Sequence, residues 1–212
     1  MKTGILFDLD GTLLNTLDDL ADGVNHTLYR FGYPQRTKEE VRCFVGNGAR
    51  RLIEQAVPGG ADVDAVLKVF QTYYTAHCRI KTRPYDGILE ALAVLGEKYP
   101  IAIVSNKPDS ALKALCADYF PGVYALGESP DCPRKPAPDM VFKAMKAIGA
   151  ESCVYVGDSE VDVLTAKNAG VPCLSVLWGF RDRKDMEEAG AEYYCEETTQ
   201  LAEKIEEIIH GQ

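Results

Sequence analysis

The segment Phe7-Asp8-Leu9-Asp10-Gly11-Thr12 carries the residues best suited to chemistry in this chain. It follows Gly4-Ile5-Leu6-Phe7, which has the length and the β-branched or aromatic content of a buried strand. Residues i and i+2 of a strand point the same way, so Asp8 and Asp10 can project into one small space. Two adjacent carboxylates require a bound cation, a raised pKa on one of them, or both.

This pair suits a reaction in which one carboxylate attacks an electrophile and the other handles a proton. A hard divalent cation would neutralise the excess charge, and Gly11 lets the backbone turn sharply or approach a ligand. The plain alternative is an acidic strand end followed by a solvated turn. An EF-hand loop fits less well, because its glycine is the sixth loop residue and Gly11 would be the fourth.

Three later segments bring further polar side chains to the ends of predicted strands. Each has an ordinary structural alternative: helix capping for the first and third, and a surface lysine for the second. Two prolines beside Lys135 would fix where its ammonium points. The segments are Ser105-Asn106-Lys107 after the strand 101–104, Arg134-Lys135-Pro136-Ala137-Pro138 before a helix, and Gly157-Asp158-Ser159-Glu160-Val161-Asp162 after the strand 153–156.

The elements that must position these residues form two groups. Residues 16–80 show helical spacing in four segments, one of them opened by the capping-box sequence Thr37-Lys38-Glu39-Glu40, and contain no convincing strand. From residue 86 onward, short apolar strands alternate with amphipathic helices, which indicates a parallel sheet covered on both faces. Such sheets place their sites beyond the carboxyl ends of the strands, where the strand order switches.

We therefore predict an α/β fold with a doubly wound parallel sheet and an inserted helical bundle. The core would comprise residues 1–14 and 84–212, and the cap residues 15–83, with Arg83-Pro84-Tyr85 as the return linker. A helical unit held by two linkers beside a reactive turn can act as a lid. The alternative is a rigid helical layer that does not move.

The charge, cysteine content and apolar runs of the chain limit its partners and its compartment. The chain has 212 residues, 46% of them hydrophobic, and a net charge of −9, which argues against nucleic acid as a partner. Seven scattered cysteines without a CxxC pair suit a reducing compartment. No apolar run approaches membrane-spanning length, and the chain enters its first strand without a signal peptide, so we expect a cytoplasmic protein.

The DxDGT, Ser-Asn, Lys-Pro-x-Pro and GDSxxD elements, in this order, resemble the haloacid dehalogenase superfamily of phosphotransferases. The helical insertion resembles that superfamily's first type of cap. Gly46-Asn47-Gly48-Ala49 and Trp178-Gly179 are similar to its phosphoglycolate phosphatase branch. One departure is Asn15, in the hinge region, where many relatives carry an aspartate.

The resemblance implies a role for each core motif. Asp8 would be the nucleophile that forms an aspartyl-phosphate, and Asp10 the general acid and then the base. Mg²⁺ would be held by the carboxylates of Asp8 and Asp158 and the backbone carbonyl of Asp10. The remaining roles are phosphate binding by Ser105 and Asn106, charge neutralisation by Lys135, and support by Asp162, Gly11 and Thr12.

The expected function is a magnesium-dependent phosphatase of small phosphorylated metabolites, with 2-phosphoglycolate the first choice. A phosphosugar mutase retains Asp10 and remains a rival, as does a pyrophosphatase. From another class, a catalytically idle binding protein on the same fold is the remote alternative. Substrate choice is expected around Asn47, Arg50 and Arg51, with one arginine facing a substrate carboxylate, or both on a solvated helix face. The sequence does not indicate an oligomeric state.

Overall fold

The computed structural model describes residues 2–211 as an α/β fold. Its strands are β1 (Thr3–Phe7), β2 (Leu14–Asn15), β3 (Arg83–Pro84), β4 (Ile101–Pro108), β5 (Tyr124–Glu128), β6 (Ser152–Gly157), β7 (Cys173–Val176) and β8 (Tyr193–Cys195). Its helices are α1 (Leu17–Arg30), α2 (Lys38–Phe44), α3 (Gly48–Ala56), α4 (Val63–His77), α5 (Ile88–Gly96), α6 (Asp109–Tyr119), α7 (Asp139–Ile148), α8 (Glu160–Ala169), α9 (Arg183–Ala189) and α10 (Leu201–His210).

Six strands form one parallel sheet in the order β5-β4-β1-β6-β7-β8, which confirms the predicted fold class. β1 lies between β4 and β6, with Phe7 paired to Ile103 on one side and to Val156 on the other. Along the chain, β4 and β5 are added on one side of β1, and β6, β7 and β8 are then added on its other side. The strand order therefore switches at the carboxyl end of β1, where such sheets bind ligands.

The centre of the sheet is buried on both faces because successive positions of β1, β4 and β6 are apolar along most of each strand. In β1, Ile5 and Phe7 belong to one hydrophobic cluster, which α5, α6 and α10 cover. Leu6 belongs to the cluster on the other face, with Tyr155 of β6 and residues of α7, α8 and α9. This alternation leaves the strand ends as the places where polar side chains can gather.

Helices α1–α4 pack against one another between the two short strands β2 and β3. Gly23 of α1 lets the Phe70 ring of α4 approach closely, since a Cβ there would lie 3.2 Å from that ring. The predicted capping box opens α2: the Thr37 N–H donates to Glu40 at 2.7 Å and the Glu40 N–H donates to Thr37 at 3.1 Å. We call this four-helix unit the cap.

Two features join the cap to the sheet. β2 pairs antiparallel with β3, Leu14 opposite Pro84 and Asn15 opposite Arg83. The buried Asp19 carboxylate of α1 accepts the backbone N–H groups of Lys81 at 3.0 Å and Thr82 at 2.9 Å. Arg83 and Pro84, expected to be a plain linker, are therefore a paired strand.

The elements differ from the prediction in two further places. β4 continues through Ser105–Pro108, with a shift in its pairing to β5 between Val104 and Pro108, whereas the apolar run predicts an end at Val104. The terminal helix begins as a 3₁₀ turn over Thr198–Gln200. Within residues 2–211, no helix combines the length and the apolar character that crossing a bilayer requires.

Candidate active site

The side chains predicted to react meet at the carboxyl ends of β1, β4 and β6. Asp8 directly follows β1, and its N–H donates to the carbonyl of Val156 at 2.8 Å, which extends the sheet by one residue. Ser105 lies in the extended end of β4, and Asp158 directly follows β6. Because β4 and β6 flank β1, the fold brings all three residues to one place, and all three are buried.

A buried ammonium links two of the carboxylates. The Nζ of Lys135 lies 2.9 Å from Oδ1 of Asp8 and 2.8 Å from Oδ1 of Asp162, and it donates to the Tyr155 hydroxyl at 3.0 Å. Only 2% of the Lys135 side chain is exposed. Asp162 also accepts the N–H and the hydroxyl of Ser159 through Oδ2, which fixes it at the start of α8. The lysine is therefore held in place by protein groups alone.

The Asp158 carboxylate is fixed by two hydrogen bonds and closely bordered by two glycines. Its Oδ1 accepts the Thr12 hydroxyl at 3.1 Å, and its Oδ2 accepts the backbone N–H of Phe180 at 2.7 Å. Gly11 and Gly179 both border this carboxylate, and a Cβ on either would come within 2.2–2.3 Å of Oδ2. Gly11 also has a φ of +84°, which side chains other than glycine rarely adopt. Both glycines are required by close approach to Asp158.

Burial and like charge perturb these acids. Burial raises the pKa of Asp8 to about 7; the Lys135 ammonium opposes this rise, while Asp162 and Asp10 add to it. Burial also raises the pKa of Asp158 well above its usual range, with Asp162 and Asp8 as further causes. Burial alone would lower the pKa of Lys135, but Asp162 and Asp8 outweigh it and hold that pKa well above its usual value. The cluster has three carboxylates and one ammonium, and a divalent cation would neutralise the excess negative charge.

Oxygen atoms of Asp8, Asp158 and Asp162 lie within 4.8 Å of one another, as a metal site requires. An all-oxygen, buried donor set suits Mg²⁺. Asp8 and Asp158 line the cleft, whereas Asp162 does not and is already paired with the Lys135 ammonium and with Ser159, so Asp8 and Asp158 are the better ligands. The side chain of Asp10 turns to another partner, which leaves only its backbone carbonyl for the predicted ligand role.

That partner is Lys107, whose Nζ lies 2.8 Å from Oδ1 of Asp10 and 2.6 Å from the hydroxyl of Tyr74. Tyr74 belongs to α4 of the cap, so Lys107 connects Asp10 to the cap. The sequence motif Ser-Asn-Lys includes Lys107, but neither the Asp10 contact nor Tyr74 was predicted. Only the apolar spacing of α4 marks Tyr74, and it indicates core packing rather than a site.

Asn106 serves to position other groups. Its side-chain Nδ2 donates to the carbonyls of Gly46 at 3.1 Å and Lys135 at 3.0 Å, while its Oδ1 accepts the Lys135 N–H at 2.8 Å. The Ser105 Oγ accepts the Lys107 N–H at 3.3 Å, and its hydroxyl proton has no acceptor among residues 2–211, so it remains for a bound group. Of the two residues expected to bind phosphate, Ser105 is the one that retains a side-chain donor.

The structure does not bring the cap arginines to the site. Arg50 pairs with Asp64 and Glu54, and Arg51 pairs with Glu54, both arginines being about half exposed on α3. Arg50, Arg51 and Asn47 are absent from the residues that line the cleft between cap and core, although their neighbours Gly46, Gly48 and Ala49 line it. On a helix, adjacent positions point in different directions, so a small buried residue beside two outward arginines is the expected pattern.

Arg181, which belongs to none of the sequence motifs, lies in the cleft wall instead. Its Nε donates to Glu160 at 3.1 Å, and its terminal nitrogens donate to the carbonyls of Arg42, Cys43 and Val45 at the end of α2. These are carbonyls that a helix terminus leaves unpaired, and a cation there is favourable. Arg181 therefore attaches the cap to the core.

Comparison with known proteins agrees with this geometry. The family model of haloacid dehalogenase-like hydrolases matches residues 5–176. A phosphoglycolate phosphatase of Mesorhizobium japonicum is 34% identical, with 95% of each chain covered, and one of Pseudomonas fluorescens is 33% identical over 98% of this chain and 78% of its own. A crystal structure from Lactobacillus delbrueckii subsp. bulgaricus, described as a candidate phosphoglycolate phosphatase, superposes with a TM-score of 0.89 at 34% identity, covering 97% of this chain and 99% of that one.

The matched region contains all four motifs and the inserted helices, and the relatives at this level of identity are phosphatases. The chain belongs to the haloacid dehalogenase-like hydrolases and is a phosphoric monoester hydrolase.

Proposed function

We propose that this phosphatase is magnesium-dependent, acts through an aspartyl-phosphate on Asp8, and hydrolyses 2-phosphoglycolate. The observation that carries the proposal is the buried cluster in which Lys135 contacts both Asp8 and Asp162 beside Asp158. Phosphoryl transfer needs positioning and charge neutralisation more than elaborate covalent chemistry, and this cluster supplies both.

Asp8 is suited to the nucleophile's role because one of its oxygens is fixed and the other has no partner among residues 2–211. Oδ1 accepts the Leu9 N–H at 2.7 Å and contacts Lys135, which holds the carboxylate in one orientation. Oδ2 then forms the new bond to phosphorus as the bond from phosphorus to the leaving oxygen breaks. Lys135 stabilises the charge on the transferring group, and the Ser105 hydroxyl donates to one of its oxygens.

Asp10 completes both halves of the reaction. Its Oδ1 is held by Lys107, so Oδ2 is the oxygen that delivers a proton to the leaving alkoxide. In the second half, the same oxygen takes a proton from water, whose oxygen attacks phosphorus and releases Asp8 and inorganic phosphate. Mg²⁺, held by the carboxylates of Asp8 and Asp158 and the carbonyl of Asp10, would supply neutralising positive charge.

The cleft itself favours a small substrate. Its cap side is apolar, with Leu20, Val45, Leu52 and Phe70 among the lining residues. The hydroxyl groups of a sugar phosphate would lose hydrogen bonds against such a wall, which carries an energetic cost. This lining supports a phosphatase of small metabolites over a phosphosugar mutase, in agreement with the names of the most similar relatives.

The test is release of inorganic phosphate from 2-phosphoglycolate, pyrophosphate and β-glucose 1-phosphate, with Mg²⁺ and then with excess chelator. We expect 2-phosphoglycolate to give the highest kcat/KM and the chelator to abolish turnover. Asp8→Asn should remove activity with the fold intact, since a lost nucleophile costs several kcal/mol of barrier. Asp118→Asn, on an exposed aspartate of α6, is the matched control.

Two outcomes would contradict parts of the proposal separately. Activity of Asp8→Asn within about tenfold of the wild type would refute the aspartyl-phosphate mechanism. Weak and broad release across the panel would leave that mechanism standing and refute the choice of 2-phosphoglycolate. Acid quenching during turnover of ³²P-labelled substrate should leave label on the wild-type protein and none on Asp8→Asn.

A further inference from the structure

The cations of the cleft differ in how many of their N–H groups remain available. A protein with a net charge of −9 must concentrate positive charge locally to bind an anionic substrate. Three basic side chains face the reacting carboxylates or the cleft wall: Lys135, Arg181 and Lys107. An ammonium has three N–H donors and a guanidinium has five, so their existing partners can be counted.

Lys135 uses all of its donors on protein groups, and Arg181 uses all but one. The three partners of Lys135 are Asp8, Asp162 and Tyr155. Arg181 uses four of its five N–H groups, on Glu160 and on the carbonyls of Arg42, Cys43 and Val45 at the end of α2. Lys135 cannot bind a second anionic group of a substrate without releasing contacts that organise the site. The hydrogen bonds of Arg181 go to Glu160 and the end of α2, and none of them goes to Asp8 or Asp10.

Lys107 combines one remaining N–H with a direct contact to Asp10. Its Nζ has two partners within residues 2–211, Oδ1 of Asp10 at 2.8 Å and the Tyr74 hydroxyl at 2.6 Å, which leaves one N–H. The side chain is 2% exposed and the residue lines the cleft, so the remaining N–H is available to a group bound there, in surroundings that hold little water. A charge–charge contact in such surroundings is stronger than the same contact in water.

Its place in the site determines which part of a substrate it meets. Asp10 delivers the proton to the leaving oxygen, so a group 2.8 Å from Asp10 lies on the leaving-group side. The proton-transfer contact spans about 2.6–3.2 Å. A carboxylate one carbon from the ester oxygen is therefore within reach of Lys107, while the transferring phosphoryl group lies toward Lys135.

We propose that Lys107 selects the leaving group: its third N–H binds a carboxylate one carbon from the ester oxygen, so the substrates are phosphate monoesters of small 2-hydroxy acids. This assignment rests on the proposed function and refines it. It moves recognition of the substrate carboxylate from the cap arginines to the end of β4. Tyr74 contributes by holding the ammonium when the cap lies on the core.

The experiment compares 2-phosphoglycolate with ethyl phosphate, which has a methyl group in place of the carboxylate. The readout is the ratio of the two kcat/KM values. Loss of a contact between charged groups is expected to lower it at least tenfold in Lys107→Met. Both substrates will also lose rate through Asp10, whose positioning contact is removed, and the ratio cancels that shared loss.

Three further variants make the result specific. Lys107→Gln keeps a donor for Asp10 without the charge and should show the same fall in the ratio, which preserves the test if the Met variant does not fold. Tyr74→Phe keeps the ammonium and should retain most of the preference. Lys113→Met, on an exposed lysine of α6, should leave both substrates unchanged.

An equal fall on both substrates in Lys107→Met and Lys107→Gln would overturn the assignment and leave Lys107 as a positioning residue for Asp10. Wild-type protein that hydrolyses both substrates equally would refute the proposed substrate, and the assignment with it. The wild-type ratio therefore separates failure of the proposed function from failure of this inference.

Discussion

Replacement of Lys135 by methionine tests the charge balance on which the site depends. The substitution keeps an unbranched side chain of similar length and removes one positive charge. It leaves Asp8 and Asp162 without the ammonium that now lies 2.9 and 2.8 Å from them. Asp158 completes a group of three carboxylates with no cation in contact.

The size of the effect follows from burial. Removing one partner of a buried ion pair typically costs about 3–5 kcal/mol, because the remaining charge is left desolvated and uncompensated. We expect the free energy of unfolding of the metal-free protein to fall by about that amount at pH 8. In a protein of this size, such a loss lowers the Tm by about 6–20 °C.

The loss should depend on pH in a defined direction. The folded-state pKa of Asp8 is raised to about 7, so the folded protein binds this proton more tightly than the unfolded chain. A raised carboxylate pKa means that stability falls as pH increases from about 4 through 7. Removing Lys135 takes away the group that opposes this rise. The difference between variant and wild type should therefore be smaller at pH 5 than at pH 8.

The assay is chemical and thermal unfolding with chelator present, followed by far-UV circular dichroism and by fluorescence of the single tryptophan. Trp178 reports on the site directly, since its Nε1 donates to the carbonyl of Thr12 at 3.0 Å. Lys143→Met, on an exposed lysine of α7, is the matched control and should change stability by less than about 0.5 kcal/mol. A Lys135→Met variant within about 1 kcal/mol of wild type at pH 8 would refute the reasoning.

Three other predictions follow from the same geometry. Gly179→Ala should weaken Mg²⁺ binding at least about tenfold, because the new Cβ would lie 2.3 Å from Oδ2 of Asp158. Isothermal titration calorimetry measures this affinity, and Gly59→Ala is the control because a Cβ there would meet no atom within 4 Å. Mg²⁺ affinity should fall as pH drops below about 7, since Asp8 must lose its proton to bind the ion, and equal affinity at pH 6 and 8 would contradict this. Of the seven thiols only Cys43 is exposed, so a thiol reagent should modify one cysteine in the folded protein and seven after denaturation.

The chain itself determines the fold class and the core of the site. Apolar strands that end in acids, a hydroxyl or glycine predict which residues gather, because the carboxyl ends of parallel strands meet at one edge. Asp8, Ser105 and Asp158 meet there for that reason, and Lys135 joins them through a proline-rich loop. These relations depend on local pattern and on chain order, which a sequence displays.

The tertiary structure decided which side chains face the cleft from the cap and which donors are already occupied. Arg50 and Arg51 are as basic as Lys107 in the sequence, yet they pair with acids on a solvated helix face. Lys107 is buried between Asp10 and Tyr74, residues 97 and 33 positions away. A contact of that kind depends on how two separate units pack. Packing sums many weak interactions across both units, so the spacing of residues along one segment does not encode it.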